Sequence, residues 1–231
     1  MRKLKIAIIF IIVINILLVI LNLEILGIIY HNDILASKYA IKGLDISHHQ
    51  DRINWDKVNK KYKFILIKAT EGSNFLDKDY FYNINRARMN GFYVGSYHYF
   101  TTKSSGKDQA LWYISNVGKT KNTFAPIIDV ELSKSDDKNS VLKQVKEFIY
   151  YIEKFYERKV IIYTNYYTYK KYIKNELKEN KLWIRDIKYY PEIEEDNRWI
   201  IWQYSNRGRV SGIKGFTDKN ALRYDLEYYI K

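Results

Sequence analysis

From Ile41 onward the chain alternates short β-branched or aromatic runs with amphipathic stretches, and that alternation restricts it to β/α units around a mostly parallel sheet or barrel. The strand candidates are "KGLDIS" (42–47), "KFILIKAT" (63–70), "FYVGSYHYF" (92–100), "FAPIIDVE" (124–131), "KVIIYT" (159–164), "LWIRD" (182–186) and "WIIWQYS" (199–205). Helices are expected around Trp55–Lys60, over Tyr80–Asn90 closed by Gly91, over Lys107–Val117 closed by Gly118, over Lys138–Tyr156, and over Tyr166–Leu177. Gly91 and Gly118 stand where a helix C-terminus wants a residue of positive φ. After Leu182 strand follows strand, so the last part of the barrel should be antiparallel or loop-joined and free of helices.

Ahead of the alternation, "MRKLKIAIIFIIVINILLVILNLEILGIIY" opens with Arg2, Lys3 and Lys5 and then runs apolar from Ile6 to Tyr30, broken only at Asn15, Asn22 and Glu24. At about 1.5 Å per residue, Ile6 to Leu23 nearly crosses a hydrocarbon core of about 30 Å. The basic tip should stay cytoplasmic, which sends the rest to the outer side. The length, and the poor cleavage pattern around Ala36-Ser37-Lys38-Tyr39-Ala40, favour an uncleaved anchor over a removed signal. The expected domains are a basic tip (1–5), an anchor or uncleaved signal (6–30), a linker (31–40) and one barrel (41–231).

The 231 residues suit one core. Cysteine is absent, and the four histidines are His31, His48, His49 and His98. A disulfide framework and a thiol nucleophile are therefore excluded, and neither a metal nor a cofactor is expected. A net charge of +13 draws the molecule to polyanions, but an exported domain has no access to intracellular nucleic acid. The expected partners are a polymer outside the cell and the membrane itself, with the protein a monomer.

In β/α barrels chemistry sits at the carboxyl ends of the strands. Here those ends carry Asp45, then Glu71, then Tyr97 and His98, then Asp129 and Glu131, then Tyr163, then Arg185 and Asp186, then Gln203 and Tyr204. Asp129 and Glu131 are two apart on one strand and emerge on the same face. Polar residues at nearly every strand end, converging on one face, mark a site and not a set of solvated loop ends.

At these residues the sequence resembles the glycoside hydrolase family 25 lysozymes, the Chalaropsis-type N-acetylmuramidases. The resemblance lies in "KGLDISHHQDRINWDKV", "FILIKATEGSNFLDKDYFYNINRARMNGFYVGSYHYF", "APIIDVE", "VIIYTN", "LWIRD" and "IWQYSNRGRVSGIKGFTDKN", in order from Lys42 to Asn220. It implies an incomplete, flattened (β/α)5(β)3 TIM-like barrel of the α/β class that hydrolyses the β-1,4 bond between N-acetylmuramic acid and N-acetylglucosamine in peptidoglycan. It also implies catalytic roles for Asp45, Asp129, Glu131 and a C-terminal acid. An ungapped match of "GFTDKN" makes that acid Asp218, with Thr217 where valine is usual, while Asp225 would need an insertion. The alternative is a membrane-tethered barrel that binds peptidoglycan without cleaving it.

Glycosidic cleavage needs one protonated carboxylic acid at the leaving oxygen and negative charge near the developing oxocarbenium ion. Glu131 is expected to be the acid, with Asp45, Asp129 and Asp218 crowded around it so that ionisation of a fourth carboxyl is penalised. Same-face neighbours lie about 6.5–7 Å apart, between the retaining separation of about 5–5.5 Å and the inverting one of about 6.5–9.5 Å. Spacing therefore leaves the stereochemistry open. The resemblance implies retention, one route being attack by the substrate's own N-acetyl group oriented by Asp129. Tyr97, Tyr99, Tyr163, Trp202 and Tyr204 are candidates for sugar contacts, with His48 at the rim.

Overall fold

The computed structural model describes residues 2–121, 123–193 and 195–230. Its sheet comprises β1 (Lys42–Ile46), β2 (Tyr62–Glu71), β3 (Phe75–Leu76), β4 (Tyr93–Tyr99), β5 (Ile127–Val130), β6 (Ile161–Thr164), β7 (Lys181–Arg185), β8 (Trp199–Gly208) and β9 (Thr217–Leu222). β3 is a short antiparallel arm on β2. The other strands close a ring: parallel pairing runs from β1 through β2, β4, β5, β6 and β7 to β8. β9 is antiparallel to both β8 and β1 and completes it. Relative to a full β/α barrel, the strand ring is whole and the helical layer is what stops short after β7.

Alternation along each strand divides the core in two. Phe64, Leu66, Ile127, Ile161, Tyr163, Trp183, Ile201 and Leu222 fill the inside of the ring. Their neighbours Ile65, Ile67, Ile128, Ile162, Leu182, Ile184 and Trp202 point outward and pack with helix residues such as Ala110, Val145 and Phe148.

Three full helices make the crossovers from β2 to β6: α3 (Tyr80–Met89), α4 (Gly106–Val117) and α5 (Lys138–Tyr156). In α5 the buried Val141, Leu142, Val145, Phe148, Ile149 and Ile152 recur at helical spacing. The Asp137 carboxylate accepts from the Ser140 N–H at 2.8 Å and caps the first turn.

Three helical expectations change form. Between β1 and β2 the helix expected around Trp55–Lys60 shrinks to 3-10 turns at His48–Gln50 and Trp55–Lys57. Asp51, at φ 53°, breaks the segment into pieces too short to nucleate an α-helix. The helix expected over Tyr166–Leu177 is one α turn (Tyr166–Thr168) passing into a π turn (Tyr169–Ile173). The tail after Leu222, whose apolar spacing suits a packing helix, keeps only a 3-10 turn at Leu226–Tyr228 and buries Tyr229 in the inner core.

The N-terminal segment forms α1 (Arg2–Ile25), which has no buried residue and is long and apolar enough to cross a membrane. The stretch read as a linker carries α2 (Asn32–Ala36) and packs on the outer face of β8. There the buried Asn32 donates to the carbonyl of Tyr204 at 3.0 Å, and Tyr39 sets its ring edge against Trp199 and Trp202. The Lys42 ammonium caps the carbonyls of Ala36 and Tyr39. α2 thus covers the strand that lacks a helix of its own.

Candidate active site

The alternation that sorts the core also builds a polar layer above it. Beyond the inward apolar residues, at the carboxyl ends of the strands, stand Asp45 on β1, Lys68 on β2, Tyr97 on β4, Asp129 on β5, Tyr163 on β6, Arg185 on β7 and Gln203 on β8. β9 runs the other way, so its beginning reaches the same end of the barrel. Asp218 there lies directly across from Asp45, and Asn220 across from Gln203.

Asp45 is the most heavily held of these groups. Its carboxylate accepts from the Gln203 amide at 2.8 and 3.2 Å and from Asn220 at 3.2 Å. Gln203 also donates to Asp218 at 3.3 Å and in turn accepts from the Tyr163 hydroxyl at 2.9 Å. Trp183 Nε1 donates to the Asn220 side chain at 2.8 Å. Two aromatic donors therefore orient two amides, and the amides orient the carboxylates.

Burial and mutual repulsion set the charge of the cluster. Burial, then Asp218, pushes the Asp45 carboxyl well up, against the hydrogen bonds from Asn220 and Gln203. Burial, then Glu131, then Asp45, does the same to Asp129, with Lys68 opposing. Asp218 is raised to about 7, chiefly by burial and opposed by Arg185. Oδ1 of Asp129 is buried without a protein partner among the described residues. An unpaired buried oxygen costs about 1–3 kcal/mol, and here that cost adds to the repulsion among the carboxylates. Glu131 stands one residue past the end of β5, half-buried, and its charge is felt at Asp129, Asp218, Tyr99 and Tyr163.

The structure brings together Asp45, Asp129, Glu131, Asp218, Tyr97 and Tyr163, with Tyr97 edge-on to Trp183 at 6.1 Å. Tyr99 lies beside them, the Lys68 ammonium 4.8 Å from its ring centre. His48 sits at the rim, its Nδ1 donating to the buried Asp77 at 2.7 Å and its ring 5.7 Å from Phe75. Trp202 and Tyr204, in contrast, lie on the outer face of β8. Trp202 is fully buried with Nε1 donating to the Asp186 carbonyl at 2.8 Å. Since Gln203 faces in, its two neighbours must face out. His98 is also outside the layer, stacked on Phe148 and bonded to Thr70 and Gln109. Glu71 pairs with Lys68 at 2.7 Å. The residues missed from sequence are Lys68, Trp183 and Asn220. Each is revealed by the same alternation once one inward residue on its strand is known.

Asp225 lies exposed at the opposite end of the barrel, past the far end of β9. The C-terminal carboxylate of the cluster is Asp218.

The family model for glycosyl hydrolases family 25 matches residues 44–213. The chain belongs to glycosyl hydrolase family 25. A family 25 glycosyl hydrolase from Bacillus anthracis superposes with a TM-score of 0.78 at 34% identity, over 84% of this chain and 95% of that one. A bacterial lysozyme from Streptomyces coelicolor gives 0.74 at 27% identity, over 82% and 95%. In sequence, Lysozyme M1 of Streptomyces globisporus is 30% identical over 203 residues, covering 81% of this protein and 69% of the relative. The family 25 match stops at Ile213, ahead of β9. Asp218 therefore enters the site on its register with Asp45.

Proposed function

We propose that Glu131 protonates the glycosidic oxygen between N-acetylmuramic acid and N-acetylglucosamine while Asp129, Asp45 and Asp218 stabilise the positive charge that develops on the sugar. Membership of family 25 makes the protein a glycoside hydrolase of peptidoglycan, and all four carboxylates are in place for hydrolysis, which binding alone does not need. The observation that carries the roles is the Asp129 carboxyl, buried among three other acids with one oxygen unpartnered. A sugar acetamido N–H would complete that oxygen's bonding, and a developing oxocarbenium ion would relieve the repulsion among the acids. The site is thus more complementary to the transition state than to the resting glycan. Glu131, nearest to solvent, delivers the proton and recovers it from the attacking water. Tyr97 and Tyr163, with Trp183 between them, form the wall against which the sugar ring lies.

Purified peptidoglycan treated with the enzyme should release fragments with new reducing-end muramic acid, seen by mass spectrometry. Glu131→Gln should lower that release at least about a hundredfold, because the amide keeps the shape and loses the transferable proton. A variant keeping a tenth of the activity or more would overturn the acid role of Glu131.

The enzyme works outside the cytoplasm, and α1 is its membrane anchor. What supports an uncleaved anchor is α2. Cleavage near Ala36 or Ala40 would strip α2 from β8 and expose Trp199 and Trp202, both fully buried in the intact chain.

A further inference from the structure

The chain leaving α1 does not hang free of the barrel. The Ile25 carbonyl accepts from the Arg207 guanidinium at 3.1 Å and the Leu26 carbonyl from Arg209 Nε at 2.6 Å. Gly27, at φ 71°, lies so close that a Cβ there would stand 2.2 Å from the Arg207 carbonyl oxygen and 2.7 Å from the Phe216 ring. The Tyr30 hydroxyl donates to the Ile187 carbonyl at 2.7 Å, and His31 Nε2 donates to the Lys188 carbonyl at 2.6 Å.

Every barrel residue in that set lies at or beyond the carboxyl end of β7 or β8, or just before β9. They therefore lie at the end of the barrel that carries the acid cluster. Phe216 is two residues before Asp218, about 7 Å along the strand. The anchor thus joins the barrel beside the mouth of the cleft and not beneath its floor.

The surface around that junction has the composition of a membrane interface. Lys188, Arg207, Arg209 and Lys214 are exposed there, Lys214 being paired with Asp51. Tyr189 is 63% and Phe216 38% exposed, next to Ile28 at 60%. Cations meet anionic headgroups and aromatic rings settle at headgroup depth, and here both flank a helix that enters the bilayer.

We propose that this edge, formed by the β8–β9 hairpin and the loop after β7, rests on the anionic membrane surface into which α1 inserts. The cleft is thereby held against the layer of glycan next to the bilayer. The proposal rests on the anchored reading above, and its test separates the two. The chain has no native cysteine, so single cysteines can be labelled in the full-length protein. Tyr189→Cys reports on the junction, and Met89→Cys, 75% exposed at the end of α3 on the opposite side of the barrel, is the control. Each variant, carrying a bimane label, is reconstituted in phosphatidylglycerol-containing vesicles with headgroup spin-labelled lipid as quencher. The expected result is that both float with the vesicles and that the label at 189 is quenched several-fold more than the label at 89. Failure to float would remove the anchor and this proposal with it. Flotation with equal quenching, or stronger quenching at 89, would overturn the orientation alone.

Discussion

Asp45 and Asp218 face each other across β1 and β9 with Gln203 bonded to both. Two like charges so placed are unfavourable, and the cost has a pH signature. Asp218 holds its proton to about pH 7 in the folded protein, against an ordinary value of 3.8. The native state therefore binds the extra proton between those values, and stability falls as pH rises through that window. His98 works the other way: burial lowers it from 6.5 to about 4, so its contribution to stability rises between pH 4 and 6.5 and is silent above. His98 is silent above about pH 6.5 while Asp218 still titrates to about 7, so the clean window is the short span from about pH 6.5 to just above 7. Melting temperature should drop across it, with Asp45, Asp129 and His31 adding drops of the same sign, and Asp218→Asn should make the drop shallower by the share that belongs to its own carboxylate. In a chain of this size each kcal/mol is worth about 2–4 °C. Asp218→Asn should at the same time lower kcat by about tenfold or more, whereas Asp225→Asn should stay within about 0.5 kcal/mol of wild type and keep its activity. Asp129→Asn should show the same trade more sharply, gaining stability at pH 8 and losing turnover. Thermal melts and initial rates on the same preparations check all three, and an active Asp129→Asn would remove the role given to that carboxyl.

At the scale of one element, β8 shows what a sequence can and cannot reveal. The order of strands, the helices α3 to α5 and the gathering of Asp45, Asp129, Glu131 and Tyr163 were legible, because each follows from hydrophobic period and from the rule that strand ends carry the chemistry. Which aromatics of "WIIWQYS" touch the site was not legible from polarity. Both faces of β8 are lined with large residues, since α2 comes from upstream to cover the outer one. Helix α2 itself carried no signal, being five residues of a segment that reads as a linker. Trp202→Ala should cost about 3–5 kcal/mol, as for other large core truncations, and leave KM for glycan unchanged in the folded fraction. Trp183→Phe should instead spare much of the stability and lower kcat, because it removes the donor that orients Asn220 onto Asp45. Denaturant melts paired with kinetics distinguish the two faces, and the opposite pairing of effects would mean that the strand's inward and outward sides have been exchanged.

At the scale of the molecule, β9, the antiparallel strand that completes the ring, decides where the chain goes after the site. β9 begins beside the acid cluster and travels to the far end of the barrel, where Tyr229 plugs the inner core and Ile230 pairs with Phe124. The junction with α1 and the C-terminal tail thus lie at opposite poles of the barrel, one beside the cleft mouth and the other behind its floor. Cargo grafted beyond Ile230 would lie on the far side of the barrel from the cleft, clear of the substrate's path. A fluorescent protein or an affinity handle placed there should leave muropeptide release unaltered, while the same cargo spliced between α1 and α2 should wedge the anchor from Arg207 and Phe216 and suppress it. Under the anchored reading proposed above, the fold supplies a polarised mount for a payload carried on the side away from the membrane.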